Sequence, residues 1–337
     1  MNKSWPYNAS SKSTTLEAGA STLGAGNHTL NGRNILLISD ESMHPALCTE
    51  LEARGLVLRK SKSWLKADLS QPERILGAYI WFYEGLRHPL RTWHIRRWLN
   101  SHGIPLFTLN QDAPHYLNHT KQSRSWRLCL AQKLHIYDIY YTHTLIDTKR
   151  HFSDLTIYLP NAANIASYNL CGNADQIFKY LRIQNRYRWD VTFFGGMNGS
   201  RYKEDANRED FFKKLGLRLD GLGISYCFRE TAGMTTDEQI DFIQSSRINL
   251  NFGARCEYGT LVASGLPERC YGIPASGGFL LCDKRTHARD DFTPGENWAE
   301  FDGLEDCVEK IQYWLSNFDK TRDLAESCYY HILKHHT

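Results

Sequence analysis

Hydrophobic residues in this chain fall into short continuous runs, and longer amphipathic segments separate the runs. The runs Asn34–Asp40, Gly77–Tyr83 and Ile104–Leu109 have the length of strands that are buried on both faces of a parallel sheet. Segments of helical period lie between them, for example 43–54 and 89–101. Strands and helices therefore alternate, which predicts an α/β fold.

The alternation stops after Pro160 and begins again near residue 189. The interval includes a polar helical segment and is typical of a linker. A second series of strands follows, at Trp189–Phe194, Gly223–Phe228, Ile248–Phe252 and Gly278–Cys282. The pattern predicts two Rossmann-like parallel-sheet domains, at 33–160 and 189–317, joined by a linker at 161–188. We expect a ligand cleft between the carboxyl ends of the two sheets.

The two ends of the chain differ from these domains. Residues 1–32 are rich in Ser, Thr, Gly, Ala and Asn and show no hydrophobic period, so we predict a disordered tail there. The last predicted helices, 303–316 and 319–334, have no strand after them. We expect these C-terminal helices, including the terminal segment 318–337, to brace the first lobe.

Composition bounds the class of protein. Of 337 residues, 42% are hydrophobic and 23% are charged, which is ordinary for a globular protein. No apolar run has the length of a membrane span, and the N-terminus lacks the apolar core of a signal peptide. The nine cysteines are scattered, without a CxxC pair or zinc-ligand spacing. These features predict a cytoplasmic protein without a metal site.

The formal net charge of +3 hides an uneven distribution. Residues 85–135 contain eight Lys or Arg against one acid, Asp112, and the predicted helix 89–101 also carries Trp93 and Trp98. Such a surface would suit peripheral contact with the inner face of an anionic membrane, or an anionic glycan. A solvated helix with its tryptophans turned inward fits the same residues. No motif for binding DNA or RNA accompanies the charges, so we expect no nucleic-acid partner.

A strand that ends in glycines gives the first chemical signal. In the segment 191–201, Gly195 and Gly196 follow the strand and Arg201 comes before the next helix. Glycines let the backbone approach a ligand closely, and the helix would offer free N–H groups to a phosphate. The segment is neither a GxGxxG fingerprint nor a Walker A motif, which disfavours nicotinamide and ATP. A tight turn without any ligand also explains these glycines.

The second signal is the segment 266–283, which reads LPERCYGIPASGGFLLCD. Its proline suits the first turn of a short helix, and Gly277 and Gly278 follow the end of that helix. Arg269 lies in the first half of the helix. If the two domains fold as predicted, Arg269 faces the same cleft as the 195–201 loop.

Further motifs join this segment: FTPGEN at 292–297 and LEDCVEKIQYW at 304–314. Together they resemble the C-terminal lobe of CgeB-like GT-B glycosyltransferases, of the glycosyl transferases group 1 family. The resemblance extends upstream to DVTFFGG at 190–196, LPNAA at 159–163 and NQDAP at 110–114, and so covers about 105–334. It implies a GT-B fold.

The resemblance also implies transfer of a sugar from a nucleotide-activated donor, bound mainly by the second lobe. The acceptor, a glycan, a lipid-linked molecule or a protein, would bind mainly to the first lobe, as in polysaccharide biosynthesis. The donor-binding residues that we expect are Gly195, Gly196, Arg201, Asn251, Tyr258, Glu268, Arg269, Gly277 and Gly278. Where the family carries a ribose-binding Glu, this chain has Gly272, and Glu268 or Glu257 would have to substitute.

The chemistry of such a transfer sets further expectations. Negative charge develops on the departing diphosphate, and a fixed cation with backbone donors would stabilise it. We assign this role to Arg269, Arg201 and the turn at 277–278. No two aspartates are separated by a single residue, so the chain lacks the DxD motif that holds a metal. We therefore expect a metal-independent reaction without a cofactor.

Asp112 and His115, after a predicted strand end, are candidates for the catalytic base. Both also fit an ordinary turn, and a retaining enzyme needs no protein base. The departure at Gly272 leaves a second hypothesis open, a non-catalytic sugar-nucleotide-binding protein that acts as a partner or regulator.

Overall fold

The chain folds into two parallel sheets, one in each half. The computed structural model describes residues 32–38, 43–61, 69, 71–110, 125–143, 152–165, 174–197, 203–253 and 264–337. All strand pairings in these ranges are parallel. The predicted α/β architecture is therefore confirmed. The predicted tail lies outside the described residues except for its last residue, Gly32.

The first lobe contains a six-stranded sheet in the order β2-β1-β3-β4-β5-β6. Its strands are β1 (Asn34–Leu37), β2 (Val57–Lys60), β3 (Ile75–Tyr79), β4 (Leu106–Asn110), β5 (Tyr137–Thr142) and β6 (Ser153–Tyr158). Its helices are α1 (Pro45–Ala53), α2 (Phe82–Arg87), α3 (Pro89–Asn100) and α4 (Ser125–Leu134).

One boundary in this lobe differs from the sequence prediction. The predicted strand 77–83 ends at Tyr79, and α2 begins at Phe82. Phe82 and Leu86 are both buried in the core of the lobe, four residues apart on one face of α2. The apolar run therefore contains the end of a strand and the start of a helix, which hydrophobicity alone does not separate.

The second lobe contains a five-stranded sheet in the order β11-β10-β9-β7-β8. Its strands are β7 (Trp189–Phe194), β8 (Tyr226–Arg229), β9 (Ser246–Asn251), β10 (Leu280–Asp283) and β11 (Ala299–Phe301). The helices in this half are α5 (Ala174–Leu181), α6 (Lys203–Gly221), α7 (Thr236–Gln244), α8 (Arg269–Ala275), α9 (Ala288–Asp291), α10 (Gly303–Ser316) and α11 (Phe318–His335).

The C-terminal helices pack mainly on the second lobe, not on the first lobe as we expected. Helix α10 lies against α6 and β9, and α11 lies against α8, α10 and α5. The buried residues Cys328 and Ile332 of α11 belong to the core that includes α8, and Tyr329 packs on α5. The apolar face of α11 is thus covered by the second lobe and by the linker helix, which is the physical reason for the correction.

No helix in the described ranges combines the length and the apolar character needed to cross a membrane.

Candidate functional site

The candidate site lies at the carboxyl edge of the second sheet. Here β7 and β9 are hydrogen-bonded neighbours, although β8 separates them in sequence. The strand order reverses at this point, so the loops that leave the two strands diverge and open a crevice. The loop after β7 begins at Gly195, and the loop after β9 begins at Phe252.

Arg269, the first residue of α8, reaches back to the end of β7. Its Nη1 donates a hydrogen bond to the carbonyl oxygen of Phe194 at 2.7 Å. The guanidinium carbon lies 5.1 Å from the centre of the Phe193 ring. Burial lowers the pKa of Arg269, but a guanidinium remains charged at neutral pH. Arg269 thus places a fixed positive charge at the strand end.

Gly195 allows this contact because any side chain there would collide with the arginine. A Cβ at Gly195 would lie 2.3 Å from Nη1 of Arg269 and 2.8 Å from Cζ of Phe193. The sequence predicted that Gly195 frees the backbone for a ligand. In the structure, the guanidinium of Arg269 occupies the space that Gly195 leaves, so this glycine makes room for the cation.

A cavity of about 210 Å³ opens beside Arg269. Its lining comes from β7, α7 and α8 and includes Phe194, Gln239, Ile243, Glu268, Arg269 and Gly272. Glu268 and Gly272 are one helical turn apart and line the same cavity, as their spacing predicts. Glycine at 272 leaves that part of the wall without a side chain.

Arg208 of α6, which the sequence pattern did not single out, ties the two strand-end loops together. It is 3% exposed. Its guanidinium donates to the carbonyl oxygens of Gly196 at 2.7 Å, Phe252 at 2.8 Å and Gly253 at 2.7 Å. The available signal was an arginine four residues before the buried Phe212, on the core-facing side of an amphipathic helix.

Asp283, at the end of β10, is hydrogen-bonded to the end of β9 and to the loop that follows it. Its carboxylate accepts hydrogen bonds from Asn251 Nδ2 at 2.9 Å and from the backbone N–H of Gly253 at 3.0 Å. Nη2 of the buried Arg285 donates to both carboxylate oxygens, at 2.9 and 3.0 Å. Arg285 also donates to the carbonyl oxygen of Gly265, so the pair fixes the segment that leads into α8.

Asn251, which we predicted as a donor-binding residue, lies at this edge and is fully buried. Its Oδ1 has no hydrogen-bond partner among the residues that the structure describes. Because Asp283 accepts a hydrogen bond from Nδ2, the amide is oriented and Oδ1 keeps its capacity to accept a hydrogen bond.

Gly277 and Gly278 lie at the opposite end of α8 from Arg269. Gly277 has a φ of +77°, its N–H donates to Pro274 O, and the N–H of Gly278 donates to Ile273 O. This is the Schellman arrangement that ends helices. A Cβ at Gly278 would lie 2.4 Å from Cγ2 of Ile243. The structure thus places both glycines in the helix cap and in core packing, and neither is among the residues that line the cavity.

The remaining predicted site residues lie outside the described residues: Asp112, His115, Arg201 and Tyr258, together with the possible substitute Glu257. Their roles stay predictions. Within the described ranges, no group of three or more His, Cys, Asp or Glu side chains is placed to hold a metal ion.

The basic surface of the first lobe is partly internal. Trp93 and Trp98 pack against the core of the lobe, and Arg96 donates to Asp138 at 2.7 Å. Leu90 and Trp126, in contrast, are 54% and 56% exposed. The tryptophans of α3 therefore turn inward, while one tryptophan of α4 remains at the surface.

Comparison with known proteins agrees with the fold. Residues 182–337 match the family described as glycosyl transferase-like. The fold is similar to that of the sucrose-phosphate synthase from Thermosynechococcus elongatus, with a TM-score of 0.52 and 10% identity, covering 90% of this chain and 95% of that one. It is equally similar to Anabaena Alr3699/HepE in complex with UDP and glucose, with a TM-score of 0.52, 12% identity and the same coverage. A search of the curated proteins finds no match. The predicted GT-B fold is confirmed, and the resemblance to glycosyltransferases is supported over residues 182–337.

Proposed function

We propose that this protein, which has a GT-B fold and a glycosyl transferase-like second lobe, transfers a sugar from a nucleotide-activated donor that binds beside Arg269. The observation that carries the proposal is the position of Arg269, a fixed cation at the switch point of the second sheet with a cavity next to it. A protein of the same fold in complex with UDP and glucose supports a nucleotide-sugar donor.

Arg269 would act on the leaving diphosphate. When the glycosyl–phosphate bond breaks, negative charge grows on the phosphate oxygens, and a cation already in place stabilises that charge without reorganisation. Phe194 O and Gly195 hold the guanidinium before any ligand arrives. Within the described residues, Phe194 O is its one hydrogen-bond acceptor, which leaves N–H groups for the phosphate oxygens.

Glu268 and Asn251 would hold hydroxyl groups of the donor. Glu268 is exposed and lines the cavity one turn before Gly272, so its carboxylate replaces the one that the related family carries at that position. Asn251 offers an oriented, unpaired acceptor oxygen at the neighbouring strand end. Both side chains accept hydrogen bonds, which is what sugar hydroxyls require.

The acceptor would bind to the first lobe, with Asp112 or His115 as base where the reaction needs one. A glycan, a lipid-linked molecule or a protein fits this role. The exposed Leu90 and Trp126, with Arg127 stacked on that tryptophan, support peripheral contact with an anionic membrane. We propose that the reaction needs neither a metal ion nor a cofactor.

The test is nucleotide release. The protein is incubated with UDP-, GDP- and CMP-sugars and an acceptor extract, with and without EDTA, and free nucleotide is measured. We expect release from one donor, unchanged by EDTA. Binding of a nucleotide sugar without release, with every acceptor, would favour the alternative of a non-catalytic partner or regulator.

Arg269→Ala should then lower the transfer rate about 10²- to 10³-fold, the usual effect of removing one charge-stabilising group. The matched control is Arg289→Ala, because Arg289 is an exposed arginine that pairs with Glu300 at the surface. Full activity of Arg269→Ala would remove this residue from the site.

A further inference from the structure

His143, directly after β5, is a buried side chain without a hydrogen-bond partner. It is 3% exposed, and neither Nδ1 nor Nε2 is paired in the part of the chain that the structure describes. A neutral imidazole carries one N–H donor and one acceptor nitrogen. Most buried polar groups are paired, because leaving them unpaired costs free energy. His143 therefore has an unused capacity for two hydrogen bonds.

The ring lies where the two lobes meet. A Cβ at Gly265, the residue before the α8 segment, would lie 2.4 Å from Cδ2 of His143. Arg285 and His287 of the second lobe also lie near the ring. Burial is the main cause that lowers the pKa of His143 to about 4, and the charges of these two groups lower it further. His143 is thus neutral at physiological pH. It stands at the carboxyl edge of the first sheet, opposite the segment that leads to Arg269.

Other contacts between the lobes are hydrogen-bonded, in contrast to the ring of His143. Tyr158, at the end of β6, donates to Oδ2 of Asp291 at 2.7 Å, and Tyr271 donates to the same oxygen at 2.6 Å. Asn161 donates to Leu266 O at 2.7 Å. Only packing, and no ring hydrogen bond, holds His143 against Gly265 in the described residues.

We infer that His143 binds sugar hydroxyl groups in the cleft from the side of the first lobe. A hydroxyl both donates and accepts, so two neighbouring hydroxyls satisfy both nitrogens of a neutral imidazole. The hydroxyls belong either to the sugar of the donor or to the acceptor. This inference rests on the proposed function, and it deepens that function by assigning a residue of the first lobe to the sugar.

His143→Leu is the first test. Leucine removes both unpaired nitrogens and keeps an apolar side chain, so we expect the thermal midpoint to stay the same or rise by a few degrees. Transfer should fall at least tenfold. The control is His102→Leu, at an exposed position after α3 where Nδ1 bonds to Ser101 and to Trp98 O, both close by in sequence. Both its activity and its midpoint should be unchanged.

Two conservative variants test the need for hydrogen bonding at this position, and the KM values identify the ligand. Asparagine and glutamine each carry a donor and an acceptor, so we expect His143→Asn or His143→Gln to retain more transfer than His143→Leu. A rise in KM for the nucleotide sugar assigns the hydroxyls to the donor, and a rise in KM for the acceptor assigns them to the acceptor.

Wild-type activity in His143→Leu would overturn the inference. A lowered thermal midpoint together with an equal loss of transfer in all three variants would also overturn it, because this combination indicates a structural role for His143. Absence of nucleotide release by the wild-type protein would instead overturn the proposed function. Equal binding of both the nucleotide sugar and the acceptor by wild type and His143→Leu would then overturn the inference as well.

Discussion

The carboxyl edges of the two sheets are built in opposite ways. In the second lobe, Arg208, Arg269 and Arg285 donate to five backbone carbonyl groups, those of Phe194, Gly196, Phe252, Gly253 and Gly265. In the first lobe, the described strand-end residue His143 is buried with both nitrogens unpaired. Backbone carbonyls fix the cations of one edge before any ligand binds, whereas no hydrogen bond within the described residues holds the His143 ring at the other edge.

The difference corresponds to two kinds of ligand. A diphosphate that gains charge during the reaction is stabilised best by cations that cannot relax, because a fixed charge needs no reorganisation. A neutral sugar offers hydroxyls, and neutral groups that donate and accept suit it better. On the proposed function, the arginines of the second lobe suit the charged diphosphate, and we expect His143 to add hydroxyl contacts from the first lobe to those of Glu268 and Asn251.

The largest expected effect is loss of the loop anchor in the second lobe. Arg208→Ala removes the three hydrogen bonds that this buried guanidinium donates to backbone carbonyls, so the free energy of unfolding should fall by about 4 kcal/mol. The control is Arg218→Ala on the same helix, whose exposed pair with Glu305 should contribute less than about 1 kcal/mol. Equal midpoints of urea unfolding for the two variants would contradict an anchored edge.

The pH dependence of stability tests whether the His143 imidazole at the edge of the first sheet is buried and neutral. His143 has a pKa lowered from 6.5 to about 4, chiefly by burial and further by Arg285 and His287, so the unfolded chain binds its proton more tightly. The contribution of His143 to the free energy of unfolding is therefore complete above pH 6.5 and is lost as the pH falls toward 4. Wild type should lose on the order of 3 kcal/mol relative to His143→Leu over this range. A difference that stays constant from pH 7.5 to 4.5 would show that the imidazole is not buried and neutral.

Gly195→Ala tests whether transfer depends on the position of the Arg269 guanidinium beside residue 195. The added Cβ would lie 2.3 Å from Nη1 of Arg269, so the guanidinium must move and transfer should fall about 100-fold, or ~2.7 kcal/mol, although the charge is retained. Gly221→Ala at the end of α6 is the control, because no atom lies within 4 Å of its Cβ position. Equal transfer rates for the two variants would mean that the position of Arg269 does not matter.

Tyr158→Phe should have the smallest effect. It removes one of two phenol hydrogen bonds to Asp291, and Tyr271 keeps the other, so the free energy of unfolding should fall by about 1–2 kcal/mol. Tyr313→Phe, at an exposed tyrosine, should change nothing measurable. A loss as large as that of Arg208→Ala would show that the lobe contact, and not the strand-end loops, dominates stability.

Much of the fold could be read from the sequence because the signals are local. The predicted bounds of β7 and α10 agree with the structure, since one is a continuous apolar run and the other an amphipathic segment that follows Asp302. Strand β11 was missed because three residues are too few to show a period. The direction of packing of α11 was missed because one apolar face does not state which lobe covers it.

The site was predicted in part. Arg269, Glu268 and Gly272 are close in sequence and share a helix, so their common cavity followed from spacing. Arg208 and Arg285 were missed because their partners are backbone carbonyls, which no side-chain motif reveals. His143 was missed because a histidine after a strand is ordinary until its burial is known.

The sequence by itself determined two α/β lobes, the strand ends that carry glycines, and an arginine at the start of a short helix. Tertiary structure alone decided which distant groups those residues meet: Gly195 leaves space for the guanidinium of Arg269, Gly278 packs against Ile243, and His143 meets Gly265 across the lobes. The reason is physical. Periodicity and helix signals depend on neighbours along the chain, whereas burial and hydrogen-bond pairing depend on residues tens to more than a hundred positions away.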